Sequence, residues 1–171
     1  MNVKHFFLTA TLMCIFNVMF AQGDTIVLGN QIWLKNNLDV QIKGAAYYDF
    51  NEQKFKNYGK LYTWQEADKA CPAGWHLPTK EEFQLLLKEA KKSRKSVYGF
   101  LTNEKGFNAK LSGFIFGGSS RNLGLEGNYW SATEMKDGGG AYLIRLDKNK
   151  KKVKLMAAQK SFRYSVRCIK D

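Results

Sequence analysis

Between residue 22 and the last residue of the sequence, little can do chemistry: two cysteines (Cys71 and Cys168), one histidine (His76), and scattered carboxylates. A zinc centre needs three or four nitrogen or sulfur ligands, so this set predicts no metal. A serine hydrolase needs a histidine beside a nucleophile held in a recognisable turn, which is missing. His76, in Gly-Trp-His-Leu-Pro, is expected to satisfy a turn instead. Glycoside cleavage would need two converging carboxylates. Glu126, Glu134, Asp137 and Asp147 fall in the second half, with nothing to mark any two as a pair, while Glu81 and Glu82 suit a helix start. No Asp-x-Asp-x-Asp-Gly loop for calcium occurs. No catalytic residue and no cofactor are predicted. What remains is a binding set. Asn122, Glu126 and Asn128 bring oxygens and amides suited to an ion or to sugar hydroxyls, and Tyr129 and Trp130 follow directly. Aromatics beside polar groups suit sugar stacking or a protein contact. Trp130, at a strand entry, is expected to face the core, which turns Tyr129 outward.

These residues must be carried by an exported fold. Lys4 followed by the apolar run Phe6 to Phe20, with Ala21 before Gln22, reads as a secretory leader over residues 1–21. The run is shorter than the roughly twenty residues a membrane span needs, and no later stretch matches it. Cys14 invites a lipid-attachment reading, but its neighbours Thr11, Leu12 and Met13 are not small, so it is assigned to the discarded leader. Residues 22–171 then form one domain of 150 residues with formal charge +11, the whole chain carrying +12. An even cysteine pair in an exported chain predicts a Cys71–Cys168 disulfide. It would close a loop of nearly a hundred residues, which the chain-entropy account values at roughly 4–5 kcal/mol. Lysines bunch in Lys88–Lys95 and Lys148–Lys154. They favour anionic partners, although a solvated helix face and a charged hairpin tip that keep the protein soluble are the simpler explanation. Nucleic acid is not expected, since no recognised binding motif occurs and export removes the chain from it.

The elements follow from local pattern. Thr25–Leu28 and Gln31–Leu34 flank Gly29-Asn30 as a hairpin. Residues 36–60 lack a period and should be mostly loop. Thr63-Trp-Gln-Glu66 has capping-box spacing and should start a helix whose Trp64, Ala67 and Cys71 share a face, ended by Pro72 and Gly74. Thr79-Lys-Glu-Glu82 repeats the signal before Phe83, Leu86, Leu87 and Ala90. Residues 93–140, rich in glycine, should be irregular, and 107–140 should form the binding face. Alternation at Tyr142/Ile144/Leu146, at Val153/Leu155 and at Tyr164/Val166/Cys168 predicts three strands forming one antiparallel sheet. The class is α+β.

Five segments carry a resemblance. Gln31-Ile-Trp with Asn37-Leu38, Gly59-Lys-Leu-Tyr-Thr-Trp64, Ala70-Cys-Pro-Ala-Gly-Trp-His-Leu-Pro-Thr79, Tyr129-Trp-Ser131 and Ser165-Val-Arg-Cys-Ile-Lys-Asp171 resemble the Fibrobacter succinogenes major paralogous domain, common in Bacteroidetes and Fibrobacteres. That resemblance implies a C-type-lectin-like fold of two helices, a small antiparallel sheet and a long loop region bearing the binding surface. It also implies a helix-to-last-strand disulfide, here on Cys71 and Cys168. Neither Glu-Pro-Asn nor Gln-Pro-Asp occurs, and Tyr129-Trp-Ser131 stands near where a Trp-Asn-Asp calcium motif would lie, so calcium-dependent sugar binding is not expected. The related formylglycine-generating fold uses a pair of active-site cysteines, and none is spare here. The expectation is a secreted, periplasmic or surface binding module, not an enzyme, whose partner is a glycan or surface protein, favourably an anionic one. The competing expectations are a polysaccharide-acting enzyme and a structural envelope component with no ligand of its own.

Overall fold

The computed structural model describes residues 25–171; the predicted leader and Cys14 lie outside the described residues. The chain is α+β, built on small antiparallel sheets and short helices. Strands β1 (Thr25–Leu28) and β2 (Gln31–Leu34) pair as the predicted hairpin, with Thr25 opposite Leu34. Gly29 takes φ +61° in its turn, which only glycine adopts cheaply. Residues 36–60 hold more structure than a loop: a 3-10 turn at Tyr48–Phe50, helix α1 (Glu52–Phe55) and a second 3-10 turn at Lys56–Tyr58. Asp49 and Phe50 both have positive φ (50° and 55°), an uncommon conformation for a bulky residue. The side chain of Phe50 is nevertheless 61% exposed.

Helix α2 (Trp64–Ala67) begins with the expected capping box of Thr63 and Glu66. It does not reach Cys71 as predicted. Lys69 and Ala70 donate to the carbonyls three residues back, tightening the chain into a 3-10 turn, and Pro72 disfavours helix at Cys71. After β3 (Trp75–His76), helix α3 (Lys80–Lys92) carries the second capping box and buries Phe83, Leu86 and Ala90. The region expected to be irregular then yields helix α4 (Val97–Leu101), the hairpin β4 (Phe114–Phe116) and β5 (Ser119–Arg121), and the nine-residue strand β6 (Glu126–Glu134). Gly113, Gly127 and Gly140 mark close packing, while Gly117, Gly118, Gly124 and Gly138 sit in open turns. A Cβ on Gly127 would sit 2.7 Å from the Lys110 carbonyl oxygen.

Strands β6, β7 (Ala141–Asp147) and β8 (Lys152–Ala158) form the main antiparallel sheet. Its third member is thus β6 and not the Tyr164–Cys168 segment predicted for that place. Alternation shows which residues share a face but not which strand lies alongside. Residues 163–166 instead form a strap bonded on both edges: Ser165 to β6, Tyr164 to Tyr62 and Arg163 to Ile115, with N···O distances of 2.8–3.2 Å. Only β9 (Ile169–Lys170) is strand proper, and it joins the second sheet in the order β1-β2-β9-β3. Cys71 and Cys168 are bonded, 97 residues apart, fastening the turn after α2 to the residue before β9.

The main sheet is covered on both sides. Trp130, Ala141 and Leu143 pack with Tyr62, Tyr164 and Val166 on one face. Tyr129, Ile144 and Leu146 pack with Trp33, Phe83 and Phe107 on the other. Between the layers lies Arg167, fully buried and without a carboxylate partner. Its guanidinium donates to the carbonyls of Leu34, Lys35, Phe107 and Asn108 and to Asn37 Oδ1, at 2.6–3.4 Å. It also lies over the Phe107 ring, 4.6 Å from the centroid.

Candidate functional site

Cross-strand pairing builds a lattice on the Trp130 face of the main sheet. Glu126, Asp147 and Lys152 form one row; Asn128, Arg145 and Lys154 the next; Trp130, Leu143 and Met156 the third. Side chains at paired positions share a face, so apolar core passes into a polar end within one sheet. The polar end is anchored by the turn before β6. Asn122 takes φ +61°, its carbonyl accepts from the amides of Leu125 and Glu126, and the Lys148 amide ties the end of β7 to the Leu125 carbonyl. From this frame the Glu126 carboxylate accepts from Asn122 Nδ2 at 2.9 Å and from the Arg145 guanidinium. The Arg145–Glu126 pair is the diagonal contact of the lattice.

Two concavities meet here. One, of about 280 Å³, is lined by Asn122, Leu125, Glu126, Arg145, Asp147, Asn149 and Lys150. The other, of about 300 Å³, is lined by Arg145, Asp147, Lys150, Lys152, Lys154 and Met156. Together they make a groove with four cations against two carboxylates. Arg145 keeps 36% of its side chain exposed while Glu126 keeps 10%, so the acid is fixed and the guanidinium remains within reach of a ligand. Such a surface can bind an anion through Arg145 and the lysines while Glu126 and Asp147 accept from hydroxyls and the Asn122 amide can accept or donate. Tyr164 borders this end of the sheet. Burial pushes its phenol up to about 12, with Arg145 opposing the rise and Glu126 adding to it.

The predicted binding residues divide sharply. Asn122 and Glu126 line the groove. Asn128 is 2% exposed, with Nδ2 3.5 Å from the Gly113 carbonyl. Trp130 is buried as expected, donating from Nε1 to the Tyr62 carbonyl at 2.9 Å. Tyr129, expected to face outward, is fully buried, and its hydroxyl both accepts from the Lys110 amide and donates to the Lys110 carbonyl. Consecutive strand residues point to opposite faces, and here both faces are covered, so neither aromatic reaches solvent. Lys150, Lys152 and Lys154 belong to the lysine cluster expected as a charged hairpin tip, whereas Arg145 lies outside it. Arg145, Lys152 and Lys154 share a face through period-two alternation in two neighbouring strands, and Lys150 lies in the turn between them.

Of the suggested carboxylates, Glu126 and Asp147 stand opposite one another across β6 and β7 and line one concavity, while Glu134 and Asp137 lie away from them. Glu126 and Glu134 sit at the two ends of β6, roughly 25 Å apart by strand rise, against the 5–9.5 Å or so that a glycosidase pair spans. Glu134 pairs with Lys160 at 2.8 Å, and Asp137 accepts from the Gly139 amide in a turn. Elsewhere His76 is clamped between Asp171 (Nδ1, 2.6 Å) and Glu82 (Nε2, 2.9 Å). Partial burial alone would lower its pKa, but the two carboxylates outweigh that and raise it.

The family model of the Fibrobacter succinogenes major domain matches residues 26–170, from the first strand through the last. The chain belongs to this family. The match takes in the disulfide, the buried Arg167 and every strand that carries the groove. No curated protein matches the chain. No solved structure matches it either.

Proposed function

We propose that this member of the family is an exported recognition module that binds an acidic glycan in the groove at the open end of the main sheet, without turning it over. One observation carries the reading: Arg145, fixed by Glu126 and flanked by Lys150, Lys152 and Lys154, lines a concave surface on rigid strands. A carboxylate or sulfate would meet a forked donor and added positive charge, and the neighbouring amide and acids suit ring hydroxyls. Export is supported by the leader pattern, by the Cys71–Cys168 bond and by a lack of any membrane-crossing helix among the described residues. We also read the arrangement as C-type-lectin-like, which fits the bond tying the helical segment to the chain's end, although the surface assigned here lies on the sheet end and its adjoining turns instead of on one long loop.

The test is direct binding of the disulfide-bonded protein to uronate-bearing, sulfated and neutral glycans and to acidic proteins. Acidic glycans should bind, more weakly as salt rises, and Arg145→Gln should cost tenfold or more. Equal binding of neutral glycans, or an unchanged affinity in Arg145→Gln, contradicts the reading.

A further inference from the structure

The same sheet face carries an aromatic column that the groove does not use. Phe116 stacks on Phe162 with centroids 4.2 Å apart and planes 13° from parallel, and Phe162 stacks on Tyr164 at 5.5 Å and 20°. Tyr164 in turn meets Trp130 at 4.7 Å, so the column climbs from the core to the tip of the β4–β5 hairpin. Its outermost ring is 38% exposed, beside a Gly117–Gly118 turn where even an added Cβ would meet nothing within 4 Å. A Phe at a hairpin tip is a poor site for solubility, yet this one is held rigid from beneath, as a stacking partner must be. The column also adjoins the groove. Met156 lines the groove and packs against the same cluster as Phe162, and Arg145 and Glu126 both act on the Tyr164 phenol.

We infer that the outer ring of this column is a second subsite, on which a pyranose of a longer acidic polysaccharide lays its C–H face while an anionic residue further along the chain sits in the groove. This rests on the groove reading above and specifies its ligand as a polymer over an isolated anion or a single sugar. Phe50 supplies a control. The Asp49 amide donates to Ser120 Oγ, and Ser120 pairs with Ile115, which places that segment on the opposite side of the hairpin from Phe116.

The experiment measures affinity of the disulfide-bonded protein for a polyuronate and for the disaccharide cut from it. Phe116→Ser should weaken the polymer about tenfold and leave the disaccharide unchanged. Arg145→Gln should weaken both, and Phe50→Asn neither. Should Phe116→Ser fail to fold, Phe116→Leu keeps apolar volume while removing the flat ring, and the same loss is expected. Polymer affinity unaltered in Phe116→Ser or Phe116→Leu, with Arg145→Gln still impaired, overturns the column alone. No binding of either ligand by the unsubstituted protein overturns the column and the groove together.

Discussion

Arg167 and Arg145 lie on the same domain and do opposite work. Arg167 has no carboxylate partner, and burial lowers its pKa, yet arginine stays charged in proteins. Oxygens from two separate segments, Leu34–Asn37 and Phe107–Asn108, replace the water it lost. It therefore holds the fold's distant parts in register and leaves no room for a ligand. Arg145 has a carboxylate partner, part of its surface in solvent, and a concavity around it. The comparison teaches that a net charge of +12 says little about where an anion binds. What decides is whether a cation's hydrogen bonds are already filled by the backbone.

Substitutions can break this contrast, and their expected effects fall over a wide range. Replacing Cys71 and Cys168 by alanine releases a constraint spanning 97 residues and should cost roughly 4–5 kcal/mol in denaturant unfolding. Arg167→Met should cost about 3 kcal/mol or more, because it strands several buried acceptors, and the variant that remains folded should bind as the parent does. Arg145→Gln inverts that pattern: unfolding should change by about 1–2 kcal/mol, since Arg145 is partly exposed and glutamine can still donate to the buried Glu126, while acidic-glycan affinity falls. Phe50→Asn replaces a bulky residue at φ 55° with one that tolerates the left-handed region; Tm should be unchanged or rise by up to about 4 °C. The smallest effect concerns pH. The folded His76 titrates above its ordinary 6.5, so its contribution is complete below that value and disappears as pH rises through the raised folded pKa. Unfolding curves measured across this window should show stability falling with rising pH, and His76→Gln should flatten the slope.

Much of this fold is legible in the residues. The Thr79–Glu82 capping box and the spacing of Phe83, Leu86 and Ala90 specify α3, and alternation in 142–155 specifies β7 and β8, because local geometry writes those signals directly. Strand β6 is hidden because Tyr129 and Trp130 are both buried, which erases the in-out period, and because Gly127 reads as looseness where it permits close approach. The groove was half legible. Asn122 and Glu126 stand close in sequence, whereas Arg145 and Lys154 become neighbours only through the β7–β8 register. Arg167 was visible as part of a Val-Arg-Cys motif, but nothing local reveals that its partners lie some 60 and 130 residues away.

Backbone amide shifts followed by NMR during titration with an acidic oligosaccharide test the central claim most directly. The account predicts concentration-dependent changes at Asn122, Glu126, Arg145, Asp147, Lys152 and Lys154, with Arg167 and the exposed lysines of α3 unmoved. Changes centred on Lys88–Lys95, or no changes along β7 and β8, would contradict it.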